Sequence, residues 1–301
     1  MTGRFSVLAS GSSGNASLLA VNGDAWLIDF GLPPGVIGER LAAGGWAWRD
    51  VRAALLTHTH GDHWNRDTLE HLRRLNVPLI AHAGHHDKLA SQKTYDPLRR
   101  AGLIGTYAEG GPVTLAPGVV LRAVRAPHDA DPTFGFRLDF TAGESGWSLG
   151  YVSDAGHVTP ALVDAFADVD LLAVEFNHDV ALQRGSGRHP MLVGRVLGPH
   201  GHLSNDQAGE LVEAVARRSP PGRLRHVVQL HLSQDCNTAA LAVAAGRAAL
   251  ARVGSDAAVT TATQYAATTA LELSARPLAP SAAKFTIAVP RPVQPTLFGD
   301  E

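Results

Sequence analysis

Short apolar runs broken by turn residues dominate the first thirty positions of the chain. "RFSVLAS", "ASLLAV" and "AWLIDF" are separated by "GSSGN" and "NGD", which predicts three β-strands joined by turns. A helix is predicted around Val36 to Ala43, then a buried strand "AALLT", a helix from about Asn65 to Leu75 and a strand "VPLIAH". Residues 84–107 carry Lys88, Lys93, Arg99 and Arg100 with little apolar periodicity, and read as a basic insertion lying over the body of the fold. From Val113 the strands return as "VVLRAVRA", "FGFRLDF" and "WSLGYVS", before helical and strand segments alternate to about residue 275. The two halves resemble each other in layout. Beyond Arg276 the composition shifts to proline and small residues, so a domain over 1–275 is expected to end in a flexible tail, 276–301. No repeat of solenoid type is visible.

Bulk composition narrows the classes. With 301 residues, 45% of them hydrophobic, the chain is long enough for a sizeable core. A formal net charge of -2 and a pI near 6.7 make no overall electrostatic case for nucleic acid, so such a partner must be met by a local patch, for which 84–107 is the candidate. The single cysteine, Cys236, excludes an intrachain disulfide, and a buried thiol is the expectation for it. The N-terminus "MTGRFSVLAS" lacks a signal-peptide pattern and no apolar run reaches membrane-spanning length. A soluble cytoplasmic protein is expected.

The chemistry concentrates in "HTHGDH", His58 to His63. His58 and His60 sit two apart just beyond a strand, so an extended backbone points both imidazoles the same way and lets them share one ion. Gly61 permits a sharp turn, after which Asp62 and His63 face a second ion rather than crowd the first. A histidine-rich surface turn would explain a lone H-x-H, but H-x-H-x-D-H behind a buried strand points to metal. Imidazole with carboxylate suits zinc, with manganese and iron also compatible. Two ions need donors from elsewhere, and His128, Asp154 and His231 each follow a strand-like run.

Together "LIDFG", "THTHGDH", "APHD", "YVSDAG" and "LHLS" resemble the five ordered motifs of the metallo-β-lactamase-fold hydrolases over roughly residues 5 to 235. The resemblance implies a four-layer αββα sandwich with two mixed sheets face to face and two divalent ions, zinc or manganese, at one edge. His58, His60 and His128 would bind one ion, and Asp62, His63 and His231 the other. Asp154 would bridge them, and Asp29 would orient the ligand loop from behind. "VLASGSSGNASLLA", "EFNHD", "GHLSN" and "HLSQDCN" further resemble the bacterial YycJ/WalJ-type branch, which implies 5′-to-3′ exonuclease activity on double-stranded DNA. A cyclic-phosphodiesterase branch is its near relative, and a non-catalytic binding protein that kept the fold is the reading from another class.

Further residues surround this set. Ser204 and Gln207 have capping-box spacing before an amphipathic run, so a helix should start there with an anion-attracting N-terminus. His202, just upstream, is placed to contact a phosphate or protonate a leaving oxygen; in the related phosphodiesterases a histidine here has that role. Asp62 and His202 are thus the candidate catalytic side chains. Ser12, Ser13 and Asn15 lie in a glycine-flanked loop that either holds a terminal phosphate or simply turns the chain. Asn177, His178, Ser204 and Asn205 are further substrate-binding candidates, while Glu175 reads as structural. His82, His85, His86, His157, His189 and His200 read as loop or packing histidines. Finally, Gln294, Leu297 and Phe298 in "QPTLF" match the Q-x-x-L-F pattern with which many bacterial repair and replication proteins bind the sliding clamp.

Overall fold

A computed structural model of the chain describes residues 2–278. The first half runs β1 (Thr2–Ala9), β2 (Ala16–Val21), β3 (Asp24–Ile28), α1 (Pro34–Ala43), β4 (Val51–Leu55), α2 (Arg66–Arg74), β5 (Leu79–His82), α3 (Ala83–Leu89), α4 (Tyr95–Arg100) and β6 (Ile104–Tyr107). The second half opens with β7 (Pro112–Ala116), β8 (Val119–Ala126), β9 (Thr133–Ala142), β10 (Ser145–Val152), α5 (Pro160–Phe166) and β11 (Leu171–Glu175). It continues through α6 (Val180–Arg184), α7 (Pro190–Leu197), α8 (Asn205–Arg218), β12 (His226–Leu230), α9 (Ala239–Arg252), β13 (Ala258–Thr261), β14 (Leu271–Ser274) and β15 (Arg276–Pro277).

These strands form a seven-stranded sheet, β14-β1-β2-β3-β4-β5-β6, and an eight-stranded one, β13-β12-β11-β10-β9-β8-β7, with β15 beside β10. Each sheet is antiparallel on one side and parallel on the other, switching at β3 in the first and β10 in the second. Apolar side chains of both inner faces, among them Phe5, Trp26, Phe134, Phe136 and Trp147, interdigitate between the sheets. On the outer face of the first sheet Ile37, Leu41, Leu69, Leu72, Leu89 and Leu98 seat α1 to α4. On that of the second, Leu162, Phe166, Leu211, Val215 and Leu250 seat α5, α8 and α9. The chain is therefore an αββα sandwich, as expected.

Two boundaries differ from the sequence reading. Residues 84–107 are not laid over the fold: they form α3, α4 and β6, and β6 pairs in parallel with β5. Their apolar residues are few but well placed, with Leu89, Tyr95, Leu98 and Tyr107 buried, and helices this short escape a periodicity argument. Lys88, Lys93, Arg99 and Arg100 are exposed, as a basic face requires. Nor does packing stop at residue 275, since β15 pairs with Ser145 and Gly146, and Leu278 N–H donates to the Glu144 carbonyl. Gln294, Leu297 and Phe298 lie outside the described residues.

The topology positions the site. In the parallel regions β3, β4, β10, β11 and β12 end toward one edge, and β8, two antiparallel steps from β10, ends there too. Backbone bonds lace the resulting loops together: Asn15 N–H donates to the Asp62 carbonyl at 2.7 Å, Gly31 N–H to Asn15 at 2.8 Å and Phe30 N–H to His63 at 2.9 Å. The loops approach so closely that a β-carbon on Gly31 would stand 1.9 Å from the Asp62 carbonyl oxygen. Gly31→Ala should therefore destabilise the protein by about 1–3 kcal/mol in denaturant titration and weaken metal uptake at Asp62. An unchanged midpoint would contradict this placement.

Candidate metal centre

His58, His60, Asp62 and His63 occupy the loop after β4, His128 follows β8, Asp154 follows β10 and His231 follows β12. All seven come together at the sheet edge, six of them in two separate triads whose ligand atoms lie within 4.8 Å of one another. His58, His60 and His128 form one, and Asp62, His63 and His231 the other. Asp154 faces both: its Oδ2 lies 3.0 Å from His63 Nε2, and its Oδ1 3.8 Å from His128 Nε2.

The residues behind them fix which nitrogen points inward. His63 Nδ1–H donates to Asp29 Oδ2 at 2.7 Å, His128 Nδ1–H to the Gly201 carbonyl at 2.7 Å, and His58 Nδ1–H to the Thr57 hydroxyl at 3.0 Å. Each ring then presents Nε2 to the interior. Asp29, fully buried, also accepts from the Thr57 amide and hydroxyl. Asn15 joins in, with its amide 3.1 Å from His63 Nε2 and 3.3 Å from Asp62 Oδ2. Asp29 and His231 both hold left-handed backbone, at φ of 59° and 54°, a conformation that recurs where function fixes a side chain.

Whether the donors suit a cation is decided by their partners. With Nδ1–H given to Asp29, a neutral His63 aims a lone pair at Asp154 Oδ2, acceptor against acceptor. Asp154 Oδ2 and the fully buried His58 Nε2 have no hydrogen-bond partner among the described residues. Buried polar atoms in folded proteins are mostly paired, and these two acceptors lie inside the histidine and carboxylate cluster, where a positive charge satisfies both. Nitrogen and carboxylate donors at these spacings fit divalent transition ions.

Without an ion, protons take that place. Burial lowers the His63 imidazole, yet Asp154, Asp29 and Asp62 outweigh it and hold it well above its ordinary value. Burial likewise opposes charge on His231, but Asp154, Asp62 and Glu175 push it up to about 9. His58, where burial and the neighbouring His63 dominate, is held well below its usual range and stays a neutral donor.

His202 stands at the mouth, its ring stacked on His231 at 5.2 Å. Its Nδ1–H donates to Glu175 Oε1 at 2.7 Å and lies 3.3 Å from Asp154 Oδ1. Burial works against its charge, but Glu175 and Asp154 hold it well above the ordinary histidine value. Glu175 is the residue that sequence reasoning undervalued. Its fully buried carboxylate also accepts from the Ala155 and Leu203 amides and lies 3.3 Å from His231 Nδ1. The only sequence signal was an acidic residue ending a wholly apolar strand, where it must have partners.

The remaining candidates divide. Ser12 and Ser13 are exposed on the loop that Asn15 anchors. Asn177 donates to the His231 carbonyl, and His178 sits against Asn177. Ser204 caps α8 with the expected reciprocal Gln207 bond. Asn205 forms a buried amide pair with Asn237, so both are tied into the framework around His202. Beside His128 a groove of about 670 Å³ is lined by Arg125, Asp129, Asp131, Thr159 and His200, among others. Asp129 pairs with Arg195 and reaches His60 Nε2 at 3.3 Å, while Lys88 donates to the Asp131 carbonyl at the groove's rim. The sequence points to Lys88 but not to Asp129, Arg195 or Arg125, whose proximity to the histidine cluster depends on tertiary structure. Cys236 is buried.

Comparison with known proteins places this geometry. The model of the beta-lactamase superfamily domain family matches residues 45–231. The exodeoxyribonuclease WalJ of Streptococcus pneumoniae is 27% identical over 246 residues, covering 79% of this chain and 85% of that protein. The exodeoxyribonuclease YycJ of Bacillus anthracis is 27% identical over 247 residues, with the same coverage. Among solved structures, the metallo-beta-lactamase fold protein YhfI of Bacillus subtilis superposes with a TM-score of 0.62 at 14% identity, covering 89% of this chain and 99% of that one.

The raised histidines give a signed pH dependence. His231 contributes stability to the metal-free protein that is fully present below its ordinary value of 6.5 and lost as pH rises through about 9. The metal-free melting temperature should thus fall from pH 6.5 to 9, and loading with zinc or manganese at pH 7 should release protons. Calorimetry in buffers of different ionisation enthalpy measures that release; none at pH 7 would contradict the assignment.

Proposed function

The chain belongs to the beta-lactamase superfamily domain family, and from that premise we propose that it is a two-metal phosphodiesterase acting in the cytoplasm as a 5′-to-3′ DNA exonuclease. The observation that carries the reading is a proton-bearing His202, held by buried Glu175 at the mouth of a cluster with the donors for two ions. Similarity to two exodeoxyribonucleases over most of their length supports DNA as the substrate.

In this reading His58, His60 and His128 would hold one divalent ion, Asp62, His63 and His231 would hold the other, and Asp154 would serve both. When bound, the pair supplies an acidified water and charge stabilisation for the phosphoryl oxygens. The chain's own part is positional and acid–base. Asp29, Thr57 and the Gly201 carbonyl keep the imidazoles aimed inward before substrate arrives. Asp62 is partly open to solvent and turns Oδ2 to His63 and His231, leaving Oδ1 to orient the attacking water and take its proton. His202 would donate from Nε2 to the departing oxygen while Nδ1–H stays on Glu175. Ser12 and Ser13 offer hydroxyls for a terminal phosphate, and Arg125 and Lys88 flank the groove beside His128 as backbone contacts. Lys93, Arg99 and Arg100, exposed in the same segment as Lys88, are further candidate backbone contacts. The Gln294, Leu297 and Phe298 peptide would bring the enzyme to the sliding clamp.

Wild-type protein reconstituted with manganese or zinc should release nucleotides from 5′-phosphorylated, end-labelled duplex DNA. Asp154→Ala should abolish this, and His202→Ala should lower kcat by about 10²–10⁴. Glu175→Gln removes the charge that raises His202, so the alkaline limb of the rate profile should move to lower pH. No digestion with any divalent metal, alongside turnover of a cyclic nucleotide, would replace the nuclease reading with a small-molecule phosphodiesterase. For the tail, clamp pull-down should succeed with the full chain and fail with one ending at Val293; equal retention sinks that idea.

A further inference from the structure

Among the described residues Tyr265 is the one exposed aromatic, with 75% of its surface open to solvent. The Phe and Trp side chains and the other tyrosines are buried or half-buried. A single exposed apolar residue is ordinarily unremarkable, but its anchorage singles this one out. The phenolic hydroxyl donates to Gln234 Oε1 at 3.1 Å, in the loop that begins at the metal-ligating His231. The preceding residue, Gln264, accepts from the Ser13 amide at 3.0 Å and donates to the Gly14 carbonyl at 2.8 Å, clasping the loop that carries Ser12, Ser13 and Asn15. Gly11 shows how tight the junction is, since at φ 144° a β-carbon there would lie 2.7 Å from Gln264 Oε1 and 3.6 Å from the Leu232 carbonyl. Ser10 completes it by accepting from His231 N–H at 2.7 Å. The ring of Tyr265 is thus fastened at both ends to the two loops that build the Asp62, His63 and His231 side of the centre.

We propose that Tyr265 is a base-stacking platform that holds a nucleobase next to the scissile phosphate on the His231 side of the centre. The proposal rests on the DNA-hydrolysing reading above. An aromatic face suits this task because every base has a π-face, so stacking binds DNA without reading its sequence. Fixing the ring through its hydroxyl removes rotamer freedom before substrate arrives, which lowers the ordering cost of binding. The exposed serines lie on the clasped loop, where a terminal phosphate would accompany the stacked base. Tyr265 touches substrate only through the base and takes no part in proton transfer.

The test compares wild type, Tyr265→Ala and Tyr265→Trp on 5′-phosphorylated duplex DNA, with a tetrahydrofuran abasic residue placed in turn at each of the first three positions. On intact DNA, Tyr265→Ala should lower kcat/KM roughly ten- to hundred-fold, and Tyr265→Trp should restore most of it. At one abasic position the wild type should fall to the level of Tyr265→Ala, and the two should become equal. Because the side chain is exposed, both variants should melt with the wild type. A Tyr265→Ala rate matching wild type on intact DNA, or a Tyr265→Ala deficit that persists undiminished at every abasic position, would overturn the stacking role while leaving the nuclease reading intact. A wild type that digests no DNA at all would overturn both.

Discussion

Everything at the sheet edge follows from one electrostatic constraint: acceptors of four different loops converge in a buried volume with almost no donors to meet them. His63, its Nδ1–H given to Asp29, faces Asp154 Oδ2 with Nε2 at 3.0 Å, and His58 Nε2 has no partner among the described residues. Lone pairs at such distances repel unless a cation lies between them, and burial makes the repulsion costly. Protons answer the need only in part, since Asp154 draws charge onto His63, His202 and His231 at once while His58 stays neutral. A site that must be filled by positive charge is, for the same reason, one that attracts a phosphodiester when divalent ions supply more charge than the carboxylates cancel.

The fold is what makes such convergence affordable. Strand ends from both sheets deliver the loops to one edge, and a core of interleaved aromatic and aliphatic side chains holds the sheets in register. Short backbone bonds among Asn15, Gly31, Asp62 and His63 leave the ligand loop little freedom. Behind the ligands, Asp29 and Glu175 serve the two sides alike. Each is fully buried, accepts from backbone amides and holds a histidine at 2.7 Å. The pair on the Asp29 side aims His63, a proposed metal donor, whereas Glu175 holds His202, the group proposed to carry a proton.

Much of this was legible in the sequence, because the ligand motifs are local and each sits where an apolar run stops. "HTHGDH" needs only a strand and a turn to be understood, and the Ser204 to Gln207 cap is an interaction between neighbours. What escaped depended on packing. Residues 84–107 look irregular because α3 and α4 are shorter than a periodicity can reveal, although Leu89, Tyr95 and Leu98 bind them to the sheet. Asn205 reads as a site residue until Asn237, 32 positions away, is seen to occupy its amide. Glu175 resembles a structural strand-end acid until His202 and His231 are brought beside it. The links from Tyr265 to Gln234 and from Gln264 to the Ser13 loop span 31 and 251 positions, and no local pattern encodes such contacts.

Anomalous diffraction from crystals loaded with manganese or zinc tests the two-metal centre most directly. Two peaks about 3.5–4 Å apart are expected, one within reach of His58, His60 and His128, the other of Asp62, His63 and His231, with Asp154 touching both. A single peak, or a second ion that Asp154 does not contact, would contradict it.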